Sequence, residues 1–356
     1  MHALAIQDIR RETSDTVSIA FDVPDELKAD FSFESGQYLT LEAMIDGEAV
    51  RRSYSLCSAP GEDEWRVAVK KVPNGKFSTY ANEVLTQSSV LSVMPPMGSF
   101  RLSTDVSHSN HYVAFAAGSG ITPIFSMLKS VLSEEPESRF TLFYGNKNAE
   151  SIIFRQELED LKNQHMDRIA VHYVMSREKL GSPLFLGRIN AEKCKRFGQV
   201  FFDPKTVEGF YLCGPSKMIF DVKDALVEMG TPAEQVNFEL FNTDDLPVQA
   251  IEQVTEAPFD PATESKVTVI LDGDSFDFTL PYGGQSILDA ALAEGADLPF
   301  ACKGGVCCTC KAKVDEGTTH MDVNYTLEPD EISAGFVLTC QAHPRTPRTI
   351  VNFDEA

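Results

Sequence analysis

The chain has 356 residues, which is more than one ordinary hydrophobic core holds, so two or three domains are expected. Its composition, 43% hydrophobic and 24% charged, is that of a soluble globular protein, and no stretch approaches the roughly 20 apolar residues that span a bilayer. The formal net charge of −22 argues against nucleic acid or an anionic membrane as a partner, because both are bound through clustered positive charge.

Residues 1–12 reach charged side chains too early to hold the apolar region of a signal peptide. Nothing else in the sequence indicates an oxidising compartment, so the eight cysteines are not expected to form disulfides. The expected location is therefore the cytoplasm.

Residues 1–105 consist mainly of short runs of strand-forming residues between turns, with little helical pattern. The runs lie at 17–23, 38–43, 65–70 and 90–94. This pattern predicts an antiparallel β-barrel.

Two motifs of this segment carry groups that suit a nucleotide. Alternation along an extended stretch places Arg52 and Tyr54 on one face, beside Ser55, which offers a guanidinium for a diphosphate and an aromatic surface for a planar ring. Gly75 and Ser78 lie at the start of a predicted helix, a second place for a phosphate. Either motif alone could equally be a polar strand edge or a helix cap.

Residues 106–243 alternate between apolar runs and helical patterns. The apolar runs lie at 112–117, 140–144, 169–175, 210–213 and 236–241, and the helical patterns include 153–163 and 216–229. This alternation predicts a Rossmann-like α/β domain, in which helices cover both faces of a parallel sheet.

Two glycine-containing turns of this segment join a strand to a helix. The turn with Gly118, Gly120 and Thr122 brings backbone N–H groups and a helix dipole to one point, which suits a phosphate. The turn with Cys213 and Gly214 either lines a nicotinamide pocket or is an ordinary strand-to-helix turn.

A third turn follows the run at 169–175 and contains Ser176 and Arg177. It lies at the carboxyl end of the predicted sheet, where such folds bind ligands. A hydroxyl and a guanidinium there suit the 2′-phosphate that distinguishes NADPH from NADH. The alternative is an exposed arginine in a loop.

Residues 244–265 contain six acidic residues, three prolines and no lysine or arginine. They lack a helical or strand period, and we interpret them as a linker that prolines and like charge keep extended. Such a linker would let the C-terminal segment move relative to the rest of the chain.

Residues 266–356 begin with two alternating runs around Asp272-Gly273, which predicts a strand pair, followed by a helical pattern at 286–294. Six Lys and Arg face fourteen Asp and Glu in this segment. The acidic surface is a candidate for docking a partner protein with a basic surface.

Four cysteines in this last segment carry the strongest signal in the chain. Cys302, Cys307 and Cys310 have the C-x4-C-x2-C spacing, and Cys340 follows 29 residues later. This spacing is typical of a plant-type [2Fe–2S] cluster. A structural zinc site usually has two short C-x2-C pairs instead. The spacing selects Cys307, and not its neighbour Cys308, as the second ligand.

In their order along the chain, the motifs of residues 1–243 resemble those of the ferredoxin–NADP reductase family, and residues 266–356 resemble a plant-type ferredoxin. The resemblance implies two sets of cofactor-binding residues. The set for FAD is Arg52, Tyr54, Ser55, Gly75 and Ser78. The set for NADPH is Gly118, Gly120, Thr122, Ser176, Arg177 and Gly214. Cys213 and Tyr54 would lie beside the reacting rings. Glu239-x-Phe241 resembles the C-terminal segment of the reductases, without an assigned role.

The order of the three domains resembles the reductase components of multicomponent bacterial oxygenases. More narrowly, Met321-x-x-Asn324-Tyr325 and Cys340-Gln341-Ala342 resemble the reductase subunits of phenylacetyl-CoA epoxidases, whose acceptor is a separate di-iron oxygenase. The resemblance implies electron transfer from NADPH to FAD, to [2Fe–2S] and to the oxygenase subunits, in the 1,2-epoxidation of phenylacetyl-CoA during phenylacetate degradation. Because a hydride carries two electrons and the cluster accepts one at a time, the flavin would act as the converter.

Two alternatives remain. The same architecture serves other acceptors, such as ring-hydroxylating oxygenases, steroid hydroxylases or a hybrid-cluster protein, and the fold alone does not choose among them. The chain could also be a redox-responsive binding subunit that turns over slowly.

Overall fold

The structure, a computed structural model, describes residues 1–178, 181–241 and 260–355. The chain forms two compact units, Met1–Phe241 and Asn242–Ala356. Most of the predicted linker, 244–265, lies outside the described residues, and a strand already begins at Glu264.

Six antiparallel strands and one helix form the N-terminal part of the first unit. They are β1 His2–Thr13, β2 Thr16–Asp22, β3 Tyr38–Ile45, β4 Glu48–Ser55, β5 Trp65–Lys70, α1 Lys76–Glu83 and β6 Val90–Val93. The strand order is β4-β3-β6-β1-β2-β5, and an antiparallel bridge between Leu56 and Val67 joins the two edges. Apolar side chains from all six strands share one core, so the predicted barrel is confirmed.

The second part of this unit is an α/β layer structure. Its elements are β7 His111–Ala117, α2 Ile121–Glu134, β8 Arg139–Asn146, α3 Arg155–Gln164, β9 Ile169–Met175, α4 Ala191–Val200, β10 Gly209–Cys213, α5 Ser216–Glu228 and β11 Val236–Glu239. The five strands are parallel, in the order β11-β10-β7-β8-β9. The predicted Rossmann-like fold is therefore confirmed.

Both faces of this sheet are buried, which explains why its strands read as nearly continuous apolar runs. On one face, Tyr112 and Leu142 pack in a cluster with residues of α2 and α3. On the other, Phe143 stacks on Phe115 and on Phe197 of α4, with ring centroids 4.9 and 4.3 Å apart.

Polar contacts fix the barrel to the α/β part. Ser126 Oγ of α2 donates to the carbonyl oxygen of Ser58 at 2.6 Å, and both residues are fully buried. Lys129, one turn later, forms an ion pair with Glu62. These bonds attach helix α2 to the segment that directly follows strand β4.

The second unit is a small α+β domain of the β-grasp type. Its elements are β12 Glu264–Leu271, β13 Asp274–Pro281, α6 Ile287–Ala293, β14 Lys311–Glu316, β15 Thr319–Met321, α7 Pro329–Ser333, β16 Phe336–Leu338, β17 Ala342–Pro344 and β18 Arg348–Asn352. The main sheet has the order β13-β12-β18-β14-β16, and β15 pairs with β17. Helix α6 begins where Ser286 Oγ accepts from the Asp289 N–H at 3.2 Å, and its apolar face packs on the sheet.

Within the described parts of the chain, none of the helices combines the length and the apolar character that crossing a membrane requires.

Candidate cofactor sites

The turn after strand β7 starts helix α2 at the carboxyl edge of the parallel sheet. Gly118 has φ +56° and open space where a Cβ would lie. A Cβ on Gly120 would lie 2.1 Å from the carbonyl oxygen of Cys213, so only glycine allows this close contact. Thr122 Oγ1 donates to the carbonyl oxygen of Ser119 at 3.1 Å and steadies the turn. The turn therefore offers an unobstructed helix N-terminus, which suits a phosphate.

The turn after β10 packs against this first turn. Cys213 is fully buried at the end of the strand. A Cβ on Gly214 would lie 3.1 Å from the Cβ of Ala117 and 2.8 Å from Cε of Met218. The absence of a side chain at Gly214 keeps the two strand ends in contact, so the Cys213 thiol lies at the ligand edge of the sheet.

A hydrogen bond across the two parts of the first unit brings a hydroxyl and a carboxyl to the same edge. Ser55, buried at the end of β4, donates from Oγ to Oε2 of Glu239 at 2.9 Å. Glu239 ends strand β11 and pairs in register with Cys213. Ser55, Cys213 and Glu239 thus form one junction between the barrel and the sheet.

Burial raises the pKa of both ionisable groups of this junction. Burial raises the pKa of Glu239 to about 8, against the opposing effect of the Ser55 hydrogen bond. Part of the Glu239 side chain reaches solvent, and its carboxyl accepts the hydrogen bond of Ser55. Burial, assisted by the Glu239 carboxyl, raises the pKa of Cys213 well above its ordinary value. Both shifts favour the protonated acid and the protonated thiol near neutral pH.

The predicted aromatic surface lies on the same barrel strand. Tyr54 is partly buried, and its ring centroid is 5.5 Å from that of Phe77 at an interplanar angle of 37°. Burial raises the pKa of Tyr54, so its phenol stays neutral. Arg52 is exposed two residues earlier, and its Nη1 donates to the carbonyl oxygen of Arg51 at 2.6 Å. An exposed guanidinium and a neutral ring side by side suit a flavin nucleotide.

Gly75 and Ser78 belong to a tight turn at the start of α1. Ser78 is buried in the first turn of the helix, and its Oγ accepts from the Val72 N–H at 3.2 Å and donates to the Gly75 carbonyl at 3.3 Å. A Cβ on Gly75 would lie 2.4 Å from Ser78 Oγ. In this structure the Ser78 hydroxyl holds the turn, and the helix N-terminus beside it is the group that suits a phosphate.

Ser176 and Arg177 directly follow strand β9, at the same carboxyl edge as Gly118, and both are exposed. The Ser176 N–H donates to the carbonyl oxygen of Asn146 at 2.9 Å, which keeps this turn attached to the end of β8. Arg177 makes no ion pair within the described ranges. Its guanidinium is therefore available to an anionic group.

The four predicted cysteine ligands meet in the second unit. Sγ of Cys307 lies 3.0 Å from Sγ of Cys302, and Cys310 and Cys340 form a second hydrogen-bonded pair. The hydrogen bond from Cys307, together with backbone N–H donors including Gly304, lowers the pKa of Cys302. The hydrogen bond from Cys310 lowers the pKa of Cys340 in the same way.

The two sulfur pairs suit a cluster of two irons. Among the residues that the structure describes, no three His, Cys, Asp or Glu side chains converge on a single metal position. Two thiol pairs in one loop system match the four thiolates that a [2Fe–2S] cluster needs. A Cβ on Gly305, which has φ +72°, would lie 3.1 Å from Cγ2 of Val323, so the loop closes tightly around the cysteines. None of the eight cysteines, all of them described, forms a disulfide.

Cys308 points to a different neighbour. Its Sγ lies 3.3 Å from Oγ1 of Thr326. Cys307, one residue earlier, is the member of this doublet that contacts Cys302.

Together these sites define a class. A flavin and iron–sulfur reductase has three parts of this kind. They are a barrel with an aromatic and cationic strand, a parallel sheet with a glycine turn that suits a phosphate, and a β-grasp domain with four cysteines. Three family descriptions match successive stretches of the chain. Residues 3–102 match the oxidoreductase FAD-binding domain, residues 115–224 the oxidoreductase NAD-binding domain, and residues 269–345 the 2Fe-2S iron-sulfur cluster binding domain.

Two relatives that align with this chain over nearly their whole length show which family of reductases it belongs to. The chain is 43% identical to a subunit of the 1,2-phenylacetyl-CoA epoxidase of Escherichia coli, over 99% of this chain and 98% of that protein. It is 35% identical to the ferredoxin reductase component of 3-ketosteroid-9-alpha-monooxygenase of Rhodococcus rhodochrous, over 98% of this chain and 96% of that protein. The chain belongs to the family of oxygenase reductase components that contains these two proteins, and it is an oxidoreductase that uses FAD, a [2Fe–2S] cluster and a pyridine nucleotide.

A solved structure has the same fold. Phthalate dioxygenase reductase is similar with a TM-score of 0.59 at 23% identity, over 99% of this chain and 98% of that one.

The sequence alone did not assign a role to one residue of the junction, Glu239. Glu239 stood out only as part of a resemblance, because an acid at the end of a short strand has no chemical signature of its own. Its contact with Ser55 joins residues 184 positions apart. Only the folded structure shows that the side chains of Ser55 and Glu239 are in contact.

Proposed function

We propose that this protein is the NADPH-dependent reductase of a phenylacetyl-CoA epoxidase, passing electrons through FAD and the [2Fe–2S] cluster to a separate di-iron oxygenase. The observation that carries the proposal is 43% identity, over 99% of the chain, to the 1,2-phenylacetyl-CoA epoxidase subunit of Escherichia coli. The similarity to the ketosteroid monooxygenase component, 35% over 98% of the chain, is lower.

The proposed assignment divides the chain into four segments. They are a FAD-binding barrel at 1–105, an NADP-binding domain at 106–243, a linker at 244–265 and a ferredoxin domain at 266–356. The proposed partners are the oxygenase subunits of a multicomponent complex, and the proposed location is the cytoplasm.

In this proposal the barrel strand holds FAD. Tyr54 would lie against the flavin ring, Arg52 would bind the diphosphate, and Ser55 would reach the ring from the strand end. Gly75 and Ser78 would place the N-terminus of helix α1 at the same diphosphate. The neutral phenol of Tyr54 and the exposed guanidinium of Arg52 support these roles.

NADPH would lie along the carboxyl edge of the parallel sheet. Gly118, Gly120 and Thr122 would hold its diphosphate, while Ser176 and Arg177 would bind the 2′-phosphate. Gly214 would leave room for the nicotinamide next to Cys213. When bound, these cofactors supply the redox chemistry: a hydride passes from nicotinamide to flavin, and single electrons pass from flavin to the cluster.

In this proposal the junction residues Ser55, Cys213 and Glu239 are the protein groups that act at the nicotinamide and flavin rings. The Ser55 hydroxyl and the protonated Glu239 carboxyl would orient the two rings and hold a proton at Glu239 Oε, and the buried Cys213 thiol would exclude water. Their neutrality supports this role, since a charge there would oppose close ring stacking. In the second unit, Cys302, Cys307, Cys310 and Cys340 would be the cluster ligands.

Reconstitution tests the proposal. The purified reductase is combined with the oxygenase subunits of a phenylacetyl-CoA epoxidase, and NADPH oxidation is followed with and without phenylacetyl-CoA. NADPH consumption that depends on phenylacetyl-CoA and yields the epoxide supports the assignment. Consumption that instead couples only to a ketosteroid monooxygenase with its steroid would replace it with the second candidate function, which the 35% relative favours.

A further inference from the structure

A second cation lies beside Arg177. Lys147 directly follows strand β8, and its carbonyl oxygen accepts from the Arg177 N–H at 2.8 Å. Both side chains are exposed, and within the described ranges neither forms an ion pair. Two long cationic side chains thus leave neighbouring backbone positions at this edge of the sheet. The Asp15 carboxylate lies close enough to Lys147 for the lysine to lower its pKa, but it forms no ion pair with it.

The nearby acid is already engaged. Glu178 Oε2 accepts from the Ala149 N–H at 2.7 Å. Asn148 and Ser151 bond each other reciprocally, with Ser151 N–H to Asn148 Oδ1 at 3.1 Å. These bonds fix the loop after Lys147 and draw the Glu178 carboxylate toward the start of a helical turn. The backbone positions that carry the two cations are therefore fixed before a ligand arrives, which lowers the cost of binding one.

An independent observation points to a ligand at this edge. The side chain of Asn146, the last residue of β8, is buried, and neither Oδ1 nor Nδ2 has a hydrogen-bond partner of normal geometry among the described residues. The Tyr144 hydroxyl lies close to the Asn146 amide, and its well-formed hydrogen bond goes to the Gly118 carbonyl at 3.0 Å. A buried amide without a well-formed hydrogen bond is unusual in a folded protein and calls for an explanation. A polar ligand bound over the ends of β8 and β9 would supply the missing partners.

We propose that Lys147 is a specificity-determining residue for NADPH, binding the 2′-phosphate together with Arg177 and the Ser176 hydroxyl. The inference rests on the NADPH assignment made above and extends it to a residue on another strand. A dianionic phosphate between two cations is bound more tightly than beside one, and NADH offers no such group. Sequence inspection missed Lys147 because only the parallel pairing of β8 with β9 brings it beside Arg177.

Binding of two small nucleotides tests this role without turnover. Adenosine 2′,5′-bisphosphate and 5′-AMP are titrated by calorimetry into the full-length, cofactor-loaded protein. The variants are Lys147→Ala, Arg177→Ala and, as the matched control, Lys205→Ala, an exposed lysine before the amino end of β10. Lys147→Ala should weaken bisphosphate binding about 10-fold and leave 5′-AMP unchanged. The difference should shrink as ionic strength rises.

The outcomes separate the two claims. If Lys147→Ala behaves like Lys205→Ala while Arg177→Ala loses affinity for the bisphosphate, the role of Lys147 is wrong and the NADPH assignment stands. If the wild-type protein binds both nucleotides equally and uses NADH as well as NADPH, the NADPH assignment fails, and the role of Lys147 fails with it.

Discussion

In the proposed function, the chemistry of the junction depends on the protonation of one carboxyl group, that of Glu239. Burial beside the Ser55 hydroxyl and the end of the Cys213 strand raises the pKa of Glu239 to about 8, because an anion would be poorly solvated there. A neutral acid can donate a hydrogen bond, whereas the carboxylate cannot. The protonation of Glu239 should therefore control the reaction at the flavin.

We predict that reduction of the bound flavin by NADPH slows as the pH rises through about 8, where Glu239 loses its proton. Glu239→Gln keeps a neutral amide at every pH, so its profile should be flat in that range. Stopped-flow bleaching of the flavin measures both profiles. A wild-type profile without a step near pH 8, or the same step in Glu239→Gln, would contradict the role.

The raised pKa of Glu239 also predicts that the free energy of unfolding depends on pH. A carboxyl whose pKa rises on folding, here from 4.5 to about 8, stabilises the fold fully below the lower value and loses this contribution as the pH rises to the upper one. Relative to Glu239→Gln, the wild-type free energy of unfolding should therefore fall between about pH 5 and pH 8. Urea unfolding of the first unit across this range measures it, and parallel curves for the two proteins would refute the shift.

The cysteine doublet gives a second residue-scale prediction. Cys307→Ser should lose the cluster, because Cys307 is the member that contacts Cys302 at 3.0 Å. Cys308→Ser should keep it, because the Cys308 thiol lies by Thr326. Iron and acid-labile sulfide content, with the visible spectrum, decide between them, and the reverse pattern would overturn the ligand assignment.

At the scale of elements, the glycine turn between β7 and α2 depends on backbone contact. Gly120→Ala would place a Cβ 2.1 Å from the Cys213 carbonyl and force the two turns apart. We expect a loss of at least about 1–3 kcal/mol in the free energy of unfolding and an increased KM for NADPH. Gly181→Ala is the matched control, since nothing lies within 4 Å of its added Cβ. Equal stability and KM in the two variants would contradict the close packing.

Most elements could be predicted from sequence because each one is specified locally. Strand β9 begins and ends at the residues that its apolar run predicts, and the cysteine spacing is itself a local constraint. Strand β1 was missed because irregularities between Ile6 and Asp8 and between Arg11 and Thr13 interrupt its alternation. Helix α4 was missed because only Cys194 and Phe197 of its side chains are buried, which leaves a weak apolar face.

The residues of the candidate sites also differ in whether the sequence alone could predict them. Motifs that lie within one turn, such as Gly118 to Thr122, were visible as sequence patterns. The contact of Ser55 with Glu239 and the neighbourhood of Lys147 and Arg177 were not, because each joins separate elements. Such contacts depend on strand order and register, which the patterns of single segments do not contain.

At the scale of the whole molecule, a net charge of −22 favours a partner with a basic docking surface. Electron transfer to the oxygenase subunits should therefore slow several-fold as salt is raised from low to high concentration, since salt screens attraction between exposed charges. Reduction of an uncharged dye is the control and should be nearly independent of salt. Equal salt dependence for both acceptors would argue against electrostatic docking.

The central claim is that electrons from NADPH reach an external acceptor only through the flavin and then the cluster. The most direct test mixes NADPH with the cofactor-loaded protein and follows the flavin by absorbance and the cluster by electron paramagnetic resonance, in the wild type and in Cys307→Ser. We predict flavin reduction followed by cluster reduction in the wild type, and in the variant normal flavin reduction without transfer to the oxygenase. An oxygenase that is reduced equally fast by the variant without a cluster would contradict this account.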